Sequence, residues 1–157
     1  MNEYTMRLAK REDASTIFNF ITKLAIYEEM LEAVTGDVSL IEKNLFENKC
    51  AEVLLIEDNN KPVAFAVFFT GFSTFTCKGT LYLEDLFVDE EYRNKGIGTM
   101  VFKKLSAIAK ERDYTRVEWV CLDWNQNSID FYEEKIGANA LKEWIRFRLD
   151  GENLENF

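Results

Sequence analysis

The chain has 157 residues, of which 47% are apolar and 14% aromatic, and this length and composition predict a single domain spanning residues 1–157. Its net charge of −9 argues against nucleic acid and anionic membranes as partners and is compatible with cationic ligands. The absence of histidine excludes an imidazole base, a Ser-His pair and a histidine metal site, and we expect no metal.

The N-terminal segment and the cysteines predict a cytoplasmic protein. Residues 1–13, MNEYTMRLAKRED, lack the apolar core of a secretory signal. No window approaches the roughly 18 apolar residues that a membrane helix needs. The three cysteines, Cys50, Cys77 and Cys121, are odd in number and have no short metal-binding spacing, so we expect a reducing compartment.

Hydrophobic periodicity predicts alternating strands and helices. After a strand at 4–8, Asp13 is the expected N-cap of a helix with Ile17, Ile21 and Leu24 on its inner face. The other expected strands lie at 52–57, 62–70, 81–88, 117–122 and 144–149, and the other expected helices run from Asp37 or Ser39 to about 47, from 97 to about 112, and over 126–135. The order predicts a mixed α/β fold around a twisted sheet, with 52–57 and 62–70 paired as an antiparallel hairpin.

The predicted strand at 81–88 is interrupted by two carboxylates. Glu84 and Asp85 lie in an otherwise apolar run, although strands normally exclude both residue types. Alternation along a strand would point them to opposite faces, so one of them could instead satisfy a backbone donor or pair with an arginine. The interruption predicts a chemical role, first for Glu84.

The segment that follows this strand has the features of a phosphate-binding loop. Residues 93–98, RNKGIG, combine two glycines that allow close backbone approach, the free N–H groups of a helix start and two cationic side chains, Arg93 and Lys95. An ordinary turn and helix start would be the alternative interpretation. We expect a diphosphate to bind here.

Four segments together resemble a known family. The pattern VxxxYRxxGIG is similar to the acetyl-CoA-binding motif of the GNAT superfamily of N-acetyltransferases, and its glycine spacing differs from GxGxxG. LYLEDLFV, DWNQNSIDFYEEKIGA at 123–138 and LAIYEEMLEAV at 24–34 resemble segments of diamine and polyamine acetyltransferases. The resemblance spans nearly the whole chain, and it implies a GNAT fold in which the parallel strands 81–88 and 117–122 splay apart around the ligand.

The resemblance also implies the site residues of an acetyl-CoA-dependent N-acetyltransferase for a diamine, a polyamine or a lysine-like amine. Glu84 would be the base and Tyr132 the acid that protonates the departing thiolate. Cofactor contacts would fall on Leu86, Phe87, Val88, Asn94, Lys95, Gly96, Ile97, Gly98, Thr99, Asn125, Gln126, Asn127 and Ser128, and amine contacts on Tyr27, Glu28, Glu84, Glu118, Trp119 and Val120. A homodimer is also implied.

Several of these residues have a second interpretation. Glu28 follows the inward stripe of its helix and should face a cleft, but it could be a solvated acid of the last turn. Tyr132 could be a core aromatic residue and Asn125 a helix cap. Cys121 is expected to be a small apolar residue, and an acyl-carrying thiol is the alternative.

Three other functions stay open at this point. The acceptor could be a protein or peptide amine, or the domain could bind acyl-CoA without turnover. A mononucleotide module could use the same loop, although the GK[ST] ending of a P-loop is absent.

Overall fold

The computed structural model describes residues 3–157, which form a five-stranded sheet and five α-helices. The strands are β1 (Thr5–Leu8), β2 (Glu52–Asp58), β3 (Lys61–Ser73), β4 (Lys78–Val88) and β5 (Val117–Glu118). The helices are α1 (Ala14–Tyr27), α2 (Val38–Ile41), α3 (Ile97–Glu111), α4 (Gln126–Asp130) and α5 (Gly151–Asn156). α2 and α4 continue as π-helical turns, Glu42–Glu47 and Phe131–Ile136.

The chain divides into two compact units, one ending at Val120 and the other comprising Cys121–Phe157. The first unit contains the whole sheet with α1, α2 and α3, and the second contains α4 and α5. Within residues 3–157 no helix has both the length and the apolar character needed to cross a bilayer.

The sheet has the order β1-β2-β3-β4-β5. Its first four strands are antiparallel neighbours, whereas β5 pairs with β4 in parallel through Leu81–Val117 and Tyr82–Glu118. This mixed arrangement confirms the predicted fold class, and the parallel pairing confirms the expectation drawn from the resemblance.

The two faces of the sheet bury different sets of apolar side chains. On one face, Phe20 of α1 stacks on Phe65 at a ring-centroid distance of 5.2 Å, within a cluster that also contains Ile17, Leu55 and Phe87. On the other face, Arg112 at the end of α3 lies over the ring of Phe68 and forms a salt bridge with Glu52, the residue that pairs with Phe68. Because cross-strand partners share a face, α1 and α3 cover opposite sides of the sheet.

Most of the predicted elements are confirmed within one to four residues at their ends. Asp37 caps α2 by accepting a hydrogen bond from Leu40 N–H at 2.9 Å. Asp13 occupies the N-cap position of α1, but its carboxylate binds the guanidinium of Arg7 at 2.7 Å and the backbone N–H of Lys10 instead of the first turn. Gly137 ends the predicted helix at 126–135 with φ +76°.

Two predicted strands are wrong in extent or existence. The strand expected at 117–122 is formed only by Val117 and Glu118. The segment 144–149 forms no strand in the described chain, and α5 follows it where no element was expected. An alternating pattern requires a neighbouring strand with free backbone groups before it can become a strand.

Candidate active site

A β-bulge at Glu84 determines which side chains of β4 face α1. Leu83 pairs with Phe68 and Asp85 pairs with Val67, so Glu84 is an extra residue without a cross-strand partner on β3. Because Phe68 and Val67 are consecutive, their side chains point to opposite faces, and Leu83 and Asp85 do the same. The bulge therefore turns Asp85 towards the face that α1 covers and leaves Glu84 exposed.

Three carboxylates form an acidic cluster, defined here as Glu28, Glu84 and Asp85. Burial, together with the charges of Glu84 and Glu28, raises the pKa of Asp85 to about 7. Glu28 is the C-cap residue of α1, and burial raises its pKa as well. The predicted inward position of Glu28 thus agrees with its partial burial, and the cluster suits a cation.

Cationic side chains connect the end of α1 with the residues that follow β4. Lys23 of α1 forms a salt bridge with Asp89 at 2.7 Å. The guanidinium of Arg93 lies 4.8 Å from the ring centroid of Tyr27 and 5.4 Å from that of Phe87, and its Nε donates a hydrogen bond to the carbonyl of Val88 at 3.0 Å. These contacts place Tyr27, a predicted amine contact, against Arg93, the first residue of the loop at 93–98.

The loop at 93–98 has the backbone geometry of an anion site. Asn94 and Gly96 both have left-handed backbone conformations, with φ +59° and +83°. The first hydrogen bond of α3 runs from Met100 N–H to the carbonyl of Gly96, so the amides of Ile97, Gly98 and Thr99 precede the helical ladder. A Cβ built on Gly96 would meet no atom within 4 Å, which leaves open space for a ligand beside this backbone.

The pairing of β4 with β5 stops at Tyr82 and Glu118, while β4 continues to Val88. Within the sheet of the first unit, Leu86, Phe87 and Val88 therefore lie beyond the paired part of this edge. The pairing ends where β5 ends, and the predicted divergence of the two strands stays a prediction. Polar groups of an extended ligand could pair with the backbone here.

The predicted amine contacts at the end of β5 have different environments. Glu118 forms a salt bridge with Arg116 at 2.8 Å. Trp119 packs on Phe102 of α3 at 4.8 Å between ring centroids, and Val120 is exposed. Of these three, Glu118 and Trp119 thus have structural contacts of their own.

The second unit contains the remaining predicted site residues. Asn125 is the N-cap of α4, where its side chain accepts a hydrogen bond from Ser128 N–H at 3.3 Å, and Gln126 and Asn127 form the first turn. Tyr132 lies in the π-helical turn, next to Phe131 at a ring-centroid distance of 5.5 Å. π-Helical turns are frequent at functional sites, which agrees with a role for Tyr132 beyond packing.

The sequence pattern did not identify the environment of Asp85 or the stacking of Arg93. Strict alternation cannot locate a bulge, and the contact between Arg93 and Tyr27 joins residues that are far apart in the chain. The available signal was the pair of adjacent acids in an apolar strand, which marks an irregularity without saying which acid turns inward.

Comparison with known proteins gives one family. Residues 21–138 match the profile described as the Acetyltransferase (GNAT) family. The thialysine N-epsilon-acetyltransferase of Caenorhabditis elegans is 28% identical over 159 residues, which cover 100% of this chain and 98% of that protein. The spermidine/spermine N(1)-acetyltransferase-like protein 1 of Homo sapiens is 31% identical over 164 residues, which cover 98% of this chain but 24% of that longer protein.

A solved structure shows the same fold. The integron cassette protein VCH_CASS6 from the mobile metagenome of V. cholerae superimposes with a TM-score of 0.82 at 24% identity, covering 99% of this chain and 97% of that chain. At this identity the likeness concerns the fold.

The Asp85→Asn variant should be more stable than the unmodified protein by a margin that is larger at pH 8 than at pH 4. An acid whose pKa is raised on folding, here to about 7 from an unfolded value near 3.9, contributes stability that is complete below the unfolded pKa and lost as pH rises through 7. The Asp85→Asn variant lacks this loss, so its advantage in urea unfolding should grow by roughly 2–4 kcal/mol between the two pH values.

Glu91→Gln is the control for this measurement, because Glu91 is an exposed carboxylate in the same unit. The difference in stability between Glu91→Gln and the unmodified protein should change far less between pH 4 and pH 8. An Asp85→Asn effect that is equal at pH 4 and pH 8 would contradict the burial of a charged carboxylate.

Proposed function

From the premise that this chain belongs to the acetyltransferase (GNAT) family and is an acetyl-CoA-dependent N-acetyltransferase, we propose that its acceptor is a diamine, a polyamine or a lysine-like amine. The acidic cluster carries this proposal. It places three carboxylates around the end of α1 and the bulge of β4, where a small ammonium ion would find compensating charge. The similarity to a thialysine acetyltransferase supports an acceptor of the same class.

Chemistry requires the protein to remove a proton from such an acceptor. An alkylammonium has a pKa of about 10.4, and only the neutral amine can attack a carbonyl. We assign this proton to Glu84, which would accept it directly or through a water molecule. Asp85 is a second candidate, because its pKa of about 7 lies near the working pH of a general base.

The loop at 93–98 fits the diphosphate of acetyl-CoA. Its left-handed residues, the open space beside Gly96 and the first amides of α3 together form a suitable cradle, with Lys95 as a nearby cation. When bound, acetyl-CoA supplies the thioester that the amine attacks. The backbone around Leu86, Phe87 and Val88 would bind its extended arm and the developing oxyanion.

The second unit would supply the acid of the reaction. We assign to Tyr132 the donation of its hydroxyl proton to the departing sulfur, and to residues 125–128 further contacts with acetyl-CoA. Because a thiol has a pKa of about 8.5, this donation gives moderate assistance. Tyr27 and residues 118–120 are proposed to contact the amine.

The remaining proposals concern organisation. We propose that the two compact units act together as one catalytic domain, that two copies form a homodimer, and that the enzyme is cytoplasmic. The odd number of exposed cysteines supports a reducing compartment.

Substituting valine for Gly96 should weaken acetyl-CoA binding. A β-branched residue cannot adopt φ +83° without strain, so the loop would move and lose about two charge-assisted hydrogen bonds. Calorimetry should show a loss of about 2 kcal/mol in binding free energy.

Gly36→Val is the matched control, since a Cβ at Gly36 also meets no atom within 4 Å and φ there is not in the left-handed region. The Gly36→Val variant should bind acetyl-CoA with unchanged affinity. Equal affinity of a folded Gly96→Val variant and the unmodified protein would reject the assignment of the loop.

Converting Glu84 to glutamine should lower kcat by about 10²- to 10⁴-fold, because glutamine keeps the shape but accepts no proton. The loss should be partly rescued at high pH, where free amine becomes abundant. Steady-state kinetics from pH 6 to 10, followed by thiol release, provide the test. A pH-independent loss would remove Glu84 as the base, and loss of the lower pH limb only in Asp85→Asn would transfer the role to Asp85.

Glu28→Gln should raise KM for a diamine more than for a matched monoamine, because only a second cationic nitrogen loses a partner. The difference between the two increases should correspond to roughly 1–3 kcal/mol in free energy. Acetyl transfer to a panel of amines measures this difference. Glu32→Gln, the same change at an exposed position, should alter neither value. Equal effects of Glu28→Gln on both amines would remove Glu28 from the acceptor site.

A further inference from the structure

The side chain of Arg93 makes contacts that the pattern of the loop does not predict. As one of the two cations of the loop at 93–98, its charge is expected beside a diphosphate. In the structure its guanidinium lies 4.8 Å from the ring centroid of Tyr27 and 5.4 Å from that of Phe87, while Nε donates a hydrogen bond to the carbonyl of Val88. Both ring distances are within the range of a cation–π interaction. The planar group is therefore engaged with the end of α1.

The two rings differ in how firmly they are held. Phe87 is 7% exposed and packs on Phe20 in the core beneath α1, at 6.3 Å between ring centroids. Tyr27 is 37% exposed and contacts Phe87 edge to face, at 6.5 Å and an interplanar angle of 66°. A partly exposed aromatic side chain changes its rotamer readily unless its neighbours fix it. Because Arg93 lies over both rings, it connects Tyr27 to a ring whose position the core fixes.

The last turn of α1 carries Tyr27 and the acidic residue next to it. Glu28 follows Tyr27 as the C-cap, and its N–H donates a hydrogen bond to the carbonyl of Leu24 at 2.9 Å. Lys23, four residues before Tyr27 and thus on the same face of the helix, forms the salt bridge with Asp89. This turn is consequently attached to the residues after β4 at two points, through Lys23 and through Tyr27.

We propose that Arg93 is a positioning residue for the amine acceptor. Its guanidinium holds the ring of Tyr27, and through the last turn of α1 it also fixes the place of the Glu28 carboxylate in the acidic cluster. The diphosphate is then bound by the backbone of the loop and by Lys95, without the Arg93 guanidinium. The inference rests on the acceptor site proposed above and assigns to it a residue of the loop.

The chemistry of the guanidinium suits this role. Because it is planar, it stacks on the aromatic rings while Nε keeps its hydrogen bond to the carbonyl of Val88. The ammonium of a lysine is a compact, strongly hydrated charge that offers no planar face to a ring. Removal of the Arg93 side chain should therefore loosen Tyr27 and leave the first amides of α3 in place.

Methionine in place of Arg93 removes the charge and the planar group but keeps an unbranched side chain. At saturating acetyl-CoA, Arg93→Met should raise KM for a diamine about five- to tenfold, since the loosened turn no longer holds Glu28 in place. KM for the matched monoamine should rise less, because a monoamine has no second nitrogen for Glu28 to bind. The dissociation constant of acetyl-CoA, measured by calorimetry, should stay within about twofold, because the backbone of the loop is unchanged.

Lys95→Met is the matched control, because it removes the other cation of the loop. At saturating acetyl-CoA it should leave KM unchanged for both amines. Arg93→Lys keeps a positive charge at position 93 and is the second variant, in case urea unfolding shows that Arg93→Met folds poorly. It should also bind acetyl-CoA normally and raise KM for the diamine by at least about threefold, since the stacking is lost.

The outcomes separate this role from the proposed function. Transfer to no amine of the panel by the unmodified chain would overturn both. If the unmodified chain acetylates amines but Arg93→Met weakens acetyl-CoA binding and leaves KM for the amines unchanged, the positioning role alone is overturned and Arg93 belongs to the diphosphate site. Equal increases in KM for the two amines, the same increase in Lys95→Met, or unchanged values in both Arg93 variants would overturn the positioning role as well.

Discussion

The arrangement of the candidate site depends on one extra residue in β4. Without the bulge at Glu84, Asp85 would share a face with Leu83, which is buried on the side away from α1. The bulge shifts the alternation by one, so Asp85 turns towards α1 while Phe87 completes the core beneath that helix. The bulge thus lets β4 bury Phe87 in the core and also carry two neighbouring carboxylates, with Asp85 turned towards α1 and Glu84 exposed.

The first unit carries two regions of opposite electrostatic character: the acidic cluster on β4 and the end of α1, and the loop that joins β4 to α3. The acidic cluster suits a cation, whereas the left-handed loop and the start of α3 suit an anion. Arg93, the first residue of the loop, has its charge over the rings of Tyr27 and Phe87 and its Nε on a backbone carbonyl, and these described contacts do not include a salt bridge with the acids of the cluster. The separation allows an amine and a diphosphate to be bound by adjacent residues without competing for the same groups.

Local periodicity predicted α1, α3 and the β2–β3 hairpin well, because their patterns are set by neighbours in sequence and by one buried face. The glycine loop and the acidic strand were also located correctly as elements. The bulge was beyond the reach of the pattern, since it depends on the register of β3 against β4. The strand expected at 144–149 failed for a related reason. An alternating pattern indicates that a segment can form a strand, but the strand forms only where the fold provides a neighbouring strand to pair with it.

The stacking of Arg93 on Tyr27 has an evolutionary consequence. If Tyr27 contacts the acceptor as proposed, a lineage that changed its acceptor by replacing Tyr27 would also remove one of the two rings that contact the Arg93 guanidinium. The same substitution would then also affect the loop at 93–98, so we expect Tyr27 and Arg93 to behave as an epistatic pair. Acceptor preference in this scaffold should diversify more readily through Glu28 or the end of β5, where no such stacking links a side chain to residue 93.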